Sequence, residues 1–255
     1  MKIIASILMF CFVLFSCSED KDDTISQANL TFNFTHNWDG VEVSNVNFNT
    51  IQYTNANGEQ LSIERLRYLI SRITFQNSNN EVFTINSYKL IDVTNNKNLS
   101  FTPTTTIPSG TYKSLSFTFG FNNDDNYNFN YPDLNSTSWN VPEMLGGGYH
   151  FMQLEGKFMD NTATETGFAY HTIRAVDNSG ATPIFQDTFF EVDLGAVTIS
   201  NNAVFNIEMN IAEWFKNPNT WDLNVLNNML MPNYNAQIMM FENGQNVFNL
   251  KSVNQ

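Results

Sequence analysis

From Leu30 the chain alternates. Leu30, Phe32, Phe34, His36 and Trp38 share one parity, and Thr31, Asn33, Thr35 and Asn37 share the other. That period of two marks a strand with one buried face. Leu115, Phe117, Phe119 and Phe121 against Ser114, Ser116, Thr118 and Gly120 give the cleanest such pattern. Apolar runs near 48–53, 66–75, 82–85, 88–93 and 99–101 predict further strands, as do 149–158, 168–175, 188–194 and 204–211. Turn signals such as Asp39-Gly40 and Asn57-Gly58 separate them. Ser62-Ile63-Glu64-Arg65-Leu66 predicts a short helical start capped by Ser62. Residues 214–230 are the most helix-like stretch, although Pro218 interrupts them. The pattern predicts one all-β domain, an antiparallel sandwich or barrel-like fold with one or two short helices near the C-terminus.

The N-terminus departs from this pattern. One Lys precedes an apolar run from Ile3 to Phe15, too short to span a bilayer, which takes about 20 apolar residues. Residues 1–16 read as a signal peptide, and Leu14-Phe15-Ser16-Cys17 resembles a bacterial lipobox. Cys17 is then the lipidated residue, and residues 17–28 form an acidic tether. The folded domain is expected over 29–255. These features place the protein at the outer membrane by a lipid anchor, on the cell surface or the periplasmic face.

Composition narrows the possible partners. The 255 residues carry 12 Lys and Arg against 25 Asp and Glu, a formal charge of −13. Such a chain lacks the cations to neutralise phosphates, which excludes nucleic acid as a partner. Only 15% of residues are charged, and 39 Asn supply much of the polar surface, a usage that favours turns over helix interiors. Once Cys11 leaves with the signal and Cys17 is lipidated, thiolate sites are excluded, c-type haem among them. Gly146-Gly147-Gly148 lacks the following helix and Lys of a phosphate loop, so no nucleotide is expected, and close backbone approach or a bulge beside His150 is expected instead. Asp124-Asp125-Asn126-Tyr127-Asn128 fails the calcium-loop pattern, with Phe129 at position six and Asn135 at position twelve. No Gly-x-Ser-x-Gly elbow is present, and no enzyme is expected.

Three His remain as candidate chemistry: His36, His150 and His171. By parity, His36 lies with Phe32 and Phe34, His150 with Met152 and Leu154, and His171 with Ala169 and Ile173, so each is expected on an apolar face. Two readings are open. Each ring is a separate core imidazole satisfied by a local partner, or the three converge on a metal, for which imidazoles without thiolate suit copper or zinc. Met152 and Met144 are candidate soft donors if the metal is copper. The polar loop at 122–140 is long enough to suggest a role. Its Tyr127, Phe129, Tyr131 and Trp139 offer an alternative surface for a glycan or protein ligand.

The order of motifs resembles one family. Residues 53–59 read Tyr-Thr-Asn-Ala-Asn-Gly-Glu, and residues 61–71 read Leu-Ser-Ile-Glu-Arg-Leu-Arg-Tyr-Leu-Ile-Ser. There follow Tyr88-Lys89-Leu90-Ile91-Asp92, Ile107-Pro108-Ser109-Gly110-Thr111-Tyr112, and Leu115-Ser116-Phe117-Thr118-Phe119-Gly120. Later come Gly147-Gly148-Tyr149-His150-Phe151-Met152, the His171 strand, and Asn243-Gly244-Gln245-Asn246-Val247-Phe248. Together they resemble MbnP-like lipoproteins. The resemblance implies a non-catalytic β-fold that binds copper and works with a dihaem peroxidase-like partner, which oxidises a Trp to kynurenine. His36 and His150 sit within matching motifs, and His171 fits more loosely. Many relatives have a Trp-rich stretch just before the Gly-Tyr step. Here it reads Val141-Pro142-Glu143-Met144-Leu145, and the nearest Trp is Trp139.

Overall fold

The computed structural model describes residues 26–255. The expected signal at 1–16 and the lipidated Cys17 lie outside the described residues. The main strands are β1 (Leu30–Trp38), β2 (Arg65–Asn77), β3 (Val82–Asp92), β4 (Gly110–Phe119), β5 (Met152–Met159), β6 (Glu165–Thr172), β7 (Phe190–Asp193), β8 (Ala203–Asn210) and β9 (Phe248–Asn254). Two helices, α1 (Pro132–Asn135) and α2 (Tyr234–Gly244), complete the set.

The predicted alternation builds a sandwich of two sheets. A nine-stranded sheet forms around β2, and a five-stranded sheet runs β9–β8–β1 with short strands beside β1. Phe32, Phe34 and His36 of β1 and Phe205, Ile207 and Met209 of β8 are buried on one parity. They meet the same kind of face on β2 and β4. Phe34 lies 6.2 Å from Tyr68 and 6.1 Å from Phe117, and Phe75 lies 5.8 Å from Phe205, ring centre to ring centre. Rings from the two sheets thus interdigitate across the gap. Most pairings are antiparallel, as expected. The exception is β1 with β8, which run parallel with Phe32 opposite Phe205.

The position of the site follows from β2. Its Arg65–Tyr68 half pairs with β5, and its Ile70–Asn77 half pairs with β4, while β3 takes the other edge. At the changeover the Leu69 N–H donates to the Phe151 carbonyl at 2.8 Å, and the Gly120 N–H donates to the Leu69 carbonyl at 2.8 Å. Gly120 has φ +85°, and a Cβ there would stand 2.4 Å from the Phe151 ring. The irregularity resets the pleat, so the adjacent Phe151 and Met152 both enter the main core. On the outer face of β2, Leu69 packs with Phe121, Leu134, Trp139 and Tyr149 in a second apolar cluster. The loop at 122–140 covers this cluster and carries α1.

The helices differ from expectation. Ser62 starts no helix, because its N–H donates to the Lys157 carbonyl at 2.7 Å and sheet pairing resumes at Arg65. Residues 214–230 hold only the end of a 3-10 turn, Ile211–Phe215, and then turns. Trp214, Phe215, Trp221 and Leu223 are all buried there, in a spacing that no single helical stripe satisfies. The longer helix lies after that stretch, capped by the Asn233 side chain accepting from the Ala236 N–H at 3.1 Å. The shorter helix lies mid-chain.

Candidate metal centre

The outer face of the β2–β5–β6 sheet carries a polar row. Arg65 pairs with Glu155, Arg67 with Gln153, and Gln153 with His171. On β6 the large Phe168 and Tyr170 take the core face, which leaves Ala169 and His171 on the other. His171 therefore faces away from the main core, opposite to the parity expectation. Its Nε2 lies 2.8 Å from Glu155 Oε1, and Arg65 Nη1 donates to the same oxygen at 2.7 Å. The His171 hydrogen bond, reinforced by Arg65, holds the Glu155 carboxyl below its usual range against the effect of burial. With Nε2–H donated to a carboxylate, the neutral tautomer of His171 carries its lone pair on Nδ1.

His150 sits just before β5 rather than within a strand. Its backbone N–H donates to the Trp139 carbonyl at 2.9 Å, and its ring Nδ1 lies 2.9 Å from the same oxygen. A carbonyl only accepts, so Nδ1 carries the proton and Nε2 carries the lone pair. That Nε2 is buried without any hydrogen-bond partner. Burial pushes the imidazole down to about 4, with the Trp139 carbonyl opposing and the nearby His171 and Arg67 assisting. At neutral pH the ring is neutral and its lone pair is available.

The rings of His150 and His171 stand 5.3 Å apart, centre to centre, with planes at 84°. Two imidazoles binding one ion at about 2.0–2.1 Å per nitrogen place their ring centres about 5–6 Å apart for tetrahedral to wider angles. The observed separation fits. The arrangement is braced from the loop. Trp139 lies 5.7 Å from the His150 ring, and the Arg67 guanidinium lies 5.1 Å over the indole while also donating to the Gln153 side chain. Asn128 accepts from the Gly148 N–H at 2.6 Å, and Asn126 accepts from the Tyr149 N–H at 2.8 Å. Gly147 and Gly148 have φ +68° and +74°, and a Cβ on either would come within 2.5 Å of these amides. The close approach expected of the triple glycine is therefore real and involves Asn side chains.

The remaining expected residues lie elsewhere. His36 points into the core, with Nε2 3.0 Å from the Tyr68 hydroxyl, and burial pushes it down to about 3. Tyr68 and Arg67 are neighbours in β2 and face opposite sides. The sheet therefore separates His36 from the His150–His171 pair, and the three rings do not converge. Among the described residues no three His, Cys, Asp or Glu side chains group to hold an ion. Met152 is fully buried in the main core on the Tyr68 side, so it is no donor to the pair. Met144 is 78% exposed and lines a pocket of about 480 Å³ with His171, Met229 and Met231.

The loop aromatics also divide. Tyr127 and Phe129 are exposed, Tyr131 packs on Tyr88 at 4.5 Å and on Phe121 at 4.6 Å, and Trp139 is buried, so it offers no surface for a ligand. Asp125 is engaged by Arg72 at 2.7 Å. Sequence reasoning missed Arg65, Arg67, Gln153 and Glu155. Their signal was present, since each alternates with a buried residue on its strand.

Similarity to known proteins agrees with this architecture. No curated protein sequence matches the chain. Among solved structures, MbnP from Methylosinus trichosporium is similar with a TM-score of 0.53 at 13% identity, over 78% of this chain and 81% of that one. At that identity the likeness is one of fold. The MbnP family profile matches residues 27–240. That span takes in β1 to β8, the loop and the imidazole pair, and the chain belongs to the MbnP family.

Proposed function

We propose that this protein binds copper through His150 and His171 and acts, without catalysis of its own, in the capture, storage or delivery of the metal. The observation that carries this reading is the His150 Nε2, a buried neutral lone pair with no partner beside a second imidazole. A buried polar atom left unpaired costs about 1–3 kcal/mol, a cost that coordination would remove. The donor set favours copper over zinc. Two imidazoles fall short of the three or four protein ligands that zinc takes, and thioethers beside His171 suit Cu(I). Glu155 and the Trp139 carbonyl orient the ligands through their second ring nitrogens, as supports behind a metal site do.

The rest of the reading comes from the sequence. Lipidation at Cys17 would hold the domain at the outer membrane through the acidic tether. The dihaem peroxidase-like partner implied by the family resemblance would find a Trp next to the ligands in Trp139, which is remote from the Gly-Tyr step in motif position but adjacent to it in space. Competition for Cu(I) against a chromophoric chelator tests the metal reading. The native protein is expected to take up one equivalent, and absence of uptake in either copper redox state would sink it.

One observation favours a second ligand. Tyr88 and Tyr131 line a pocket of about 570 Å³ with Ser71, Arg72, Asn86 and Ser87, a mixture of ring faces and hydrogen-bonding groups suited to a glycan. Glycan-array binding lost in Tyr131→Ala, and kept when both site His are replaced, would support that role.

A further inference from the structure

We infer that the pocket formed by Met144, Met229 and Met231 is a thioether port through which Cu(I) reaches the imidazole pair. The inference rests on the copper reading above and adds a route to it. The inner ligand is sealed, because His150 Nε2 has essentially no solvent access. His171 is the accessible member, with 16% of its side chain exposed, and it forms part of the pocket wall. An ion arriving from solvent by this route meets the pocket first.

The methionines of the described residues range from buried to exposed, with Met159, Met231 and Met239 intermediate. Met152, Met209 and Met240 are buried in the main core and fill space there. Met144 and Met229 are 78% and 75% exposed, so packing does not account for them. They come from segments far apart in sequence, yet both line one pocket together with Met231 and the accessible His of the pair. Met229 also holds φ +53°, a left-handed conformation that side-chain-bearing residues rarely adopt. Such strain persists where surrounding structure fixes it.

The walls are tied to the ligand strand. The Gln237 side-chain amide donates to the carbonyls of both Leu230 and His171, at 3.1 and 2.8 Å. The opposite wall is held by Asn178 Nδ2 donating to the Met144 carbonyl at 3.1 Å. Thioether is neutral and soft. It binds Cu(I) in preference to harder cations, and carries no proton to lose. Transfer to His171 and His150 is a ligand exchange. Copper–sulfur bonds break as copper–nitrogen bonds form, and no electron moves.

The test uses the full chain and the variant Met144→Leu/Met229→Leu/Met231→Leu, which keeps side-chain volume while removing sulfur. Cu(I) uptake from a chromophoric chelator is followed by stopped flow, and affinity by equilibrium competition. Uptake is expected to slow about tenfold or more, with affinity changed much less. A variant that binds copper at the native rate overturns the port and leaves the copper reading standing. A native protein that takes up no Cu(I) overturns both. Should the triple variant fold poorly, Ag(I) titration of His150→Ala/His171→Ala supplies a second readout by methionine-methyl NMR. Shifts at residues 144, 229 and 231, with residues 152, 209 and 240 silent, support the port. Silence at the first three overturns it.

Discussion

His36 and His150 are nearly equal in burial, at 3% and 5% exposure, and burial depresses both imidazoles far below their ordinary range. They differ in what their nitrogens meet. His36 directs Nε2 at the Tyr68 hydroxyl inside the main core. His150 gives Nδ1 to a main-chain carbonyl and leaves Nε2 unmatched beside another imidazole. Burial and a lowered proton affinity therefore do not separate the two rings. The unmatched lone pair does.

Substitutions should separate the two rings. His150→Ala is expected to lower copper affinity by more than about 100-fold, beyond the 10–100-fold range for losing a supporting group. His36→Leu should leave affinity essentially unchanged, and competition titration of the two variants decides the matter. A large copper defect in His36→Leu would break the contrast. That same variant should lose about 1–3 kcal/mol of stability in denaturant unfolding, because the buried Tyr68 hydroxyl is left without its partner.

A smaller effect is expected one layer behind the pair. Glu155→Gln keeps the shape but weakens the acceptor for His171, and copper affinity should fall about tenfold. If affinity is untouched, Glu155 serves Arg65 alone.

The gentlest test is pH. In the unfolded chain both imidazoles titrate near 6.5, whereas in the native metal-free protein they titrate at about 3 for His36 and about 4 for His150. Between these values the unfolded state binds more protons, so stability falls as pH drops. Each imidazole contributes a slope approaching about 1.4 kcal/mol per pH unit, fully developed only below 6.5. His36→Leu and His150→Ala should each remove about half of the slope the two imidazoles contribute together in pH-dependent unfolding. The His36 share should continue to about pH 3 and the His150 share should end near pH 4.

The strands were legible because alternation is local. β1 and β4 can be read directly from the parity of Phe32, Phe34, Phe117 and Phe119. The site was legible only in its residue types. His171 was placed on the wrong face because Ala169 and Ile173 are apolar, yet the larger Phe168 and Tyr170 claim the core. The parity of His150 fails because the irregularity at Phe151 arises where β2 changes partners, a tertiary event. Residues 214–230 were misread as helix because their large apolar residues pack in turns among distant strands. Nothing local predicts that Met229 and Met231 return to Met144, since α2 and the His171 carbonyl bring them there through Gln237.

One oxygen atom binds two histories together. The Trp139 carbonyl receives both the main-chain and the ring N–H of His150, so that ring has no independent swivel. Any chemical change to the indole that shifts its own backbone would be felt at the His150 ring as a rotation, even if the altered side chain never touched that ring. The protein thus contains a mechanical linkage from residue 139 to the orientation of the His150 ring, eleven residues along the chain and a single acceptor away.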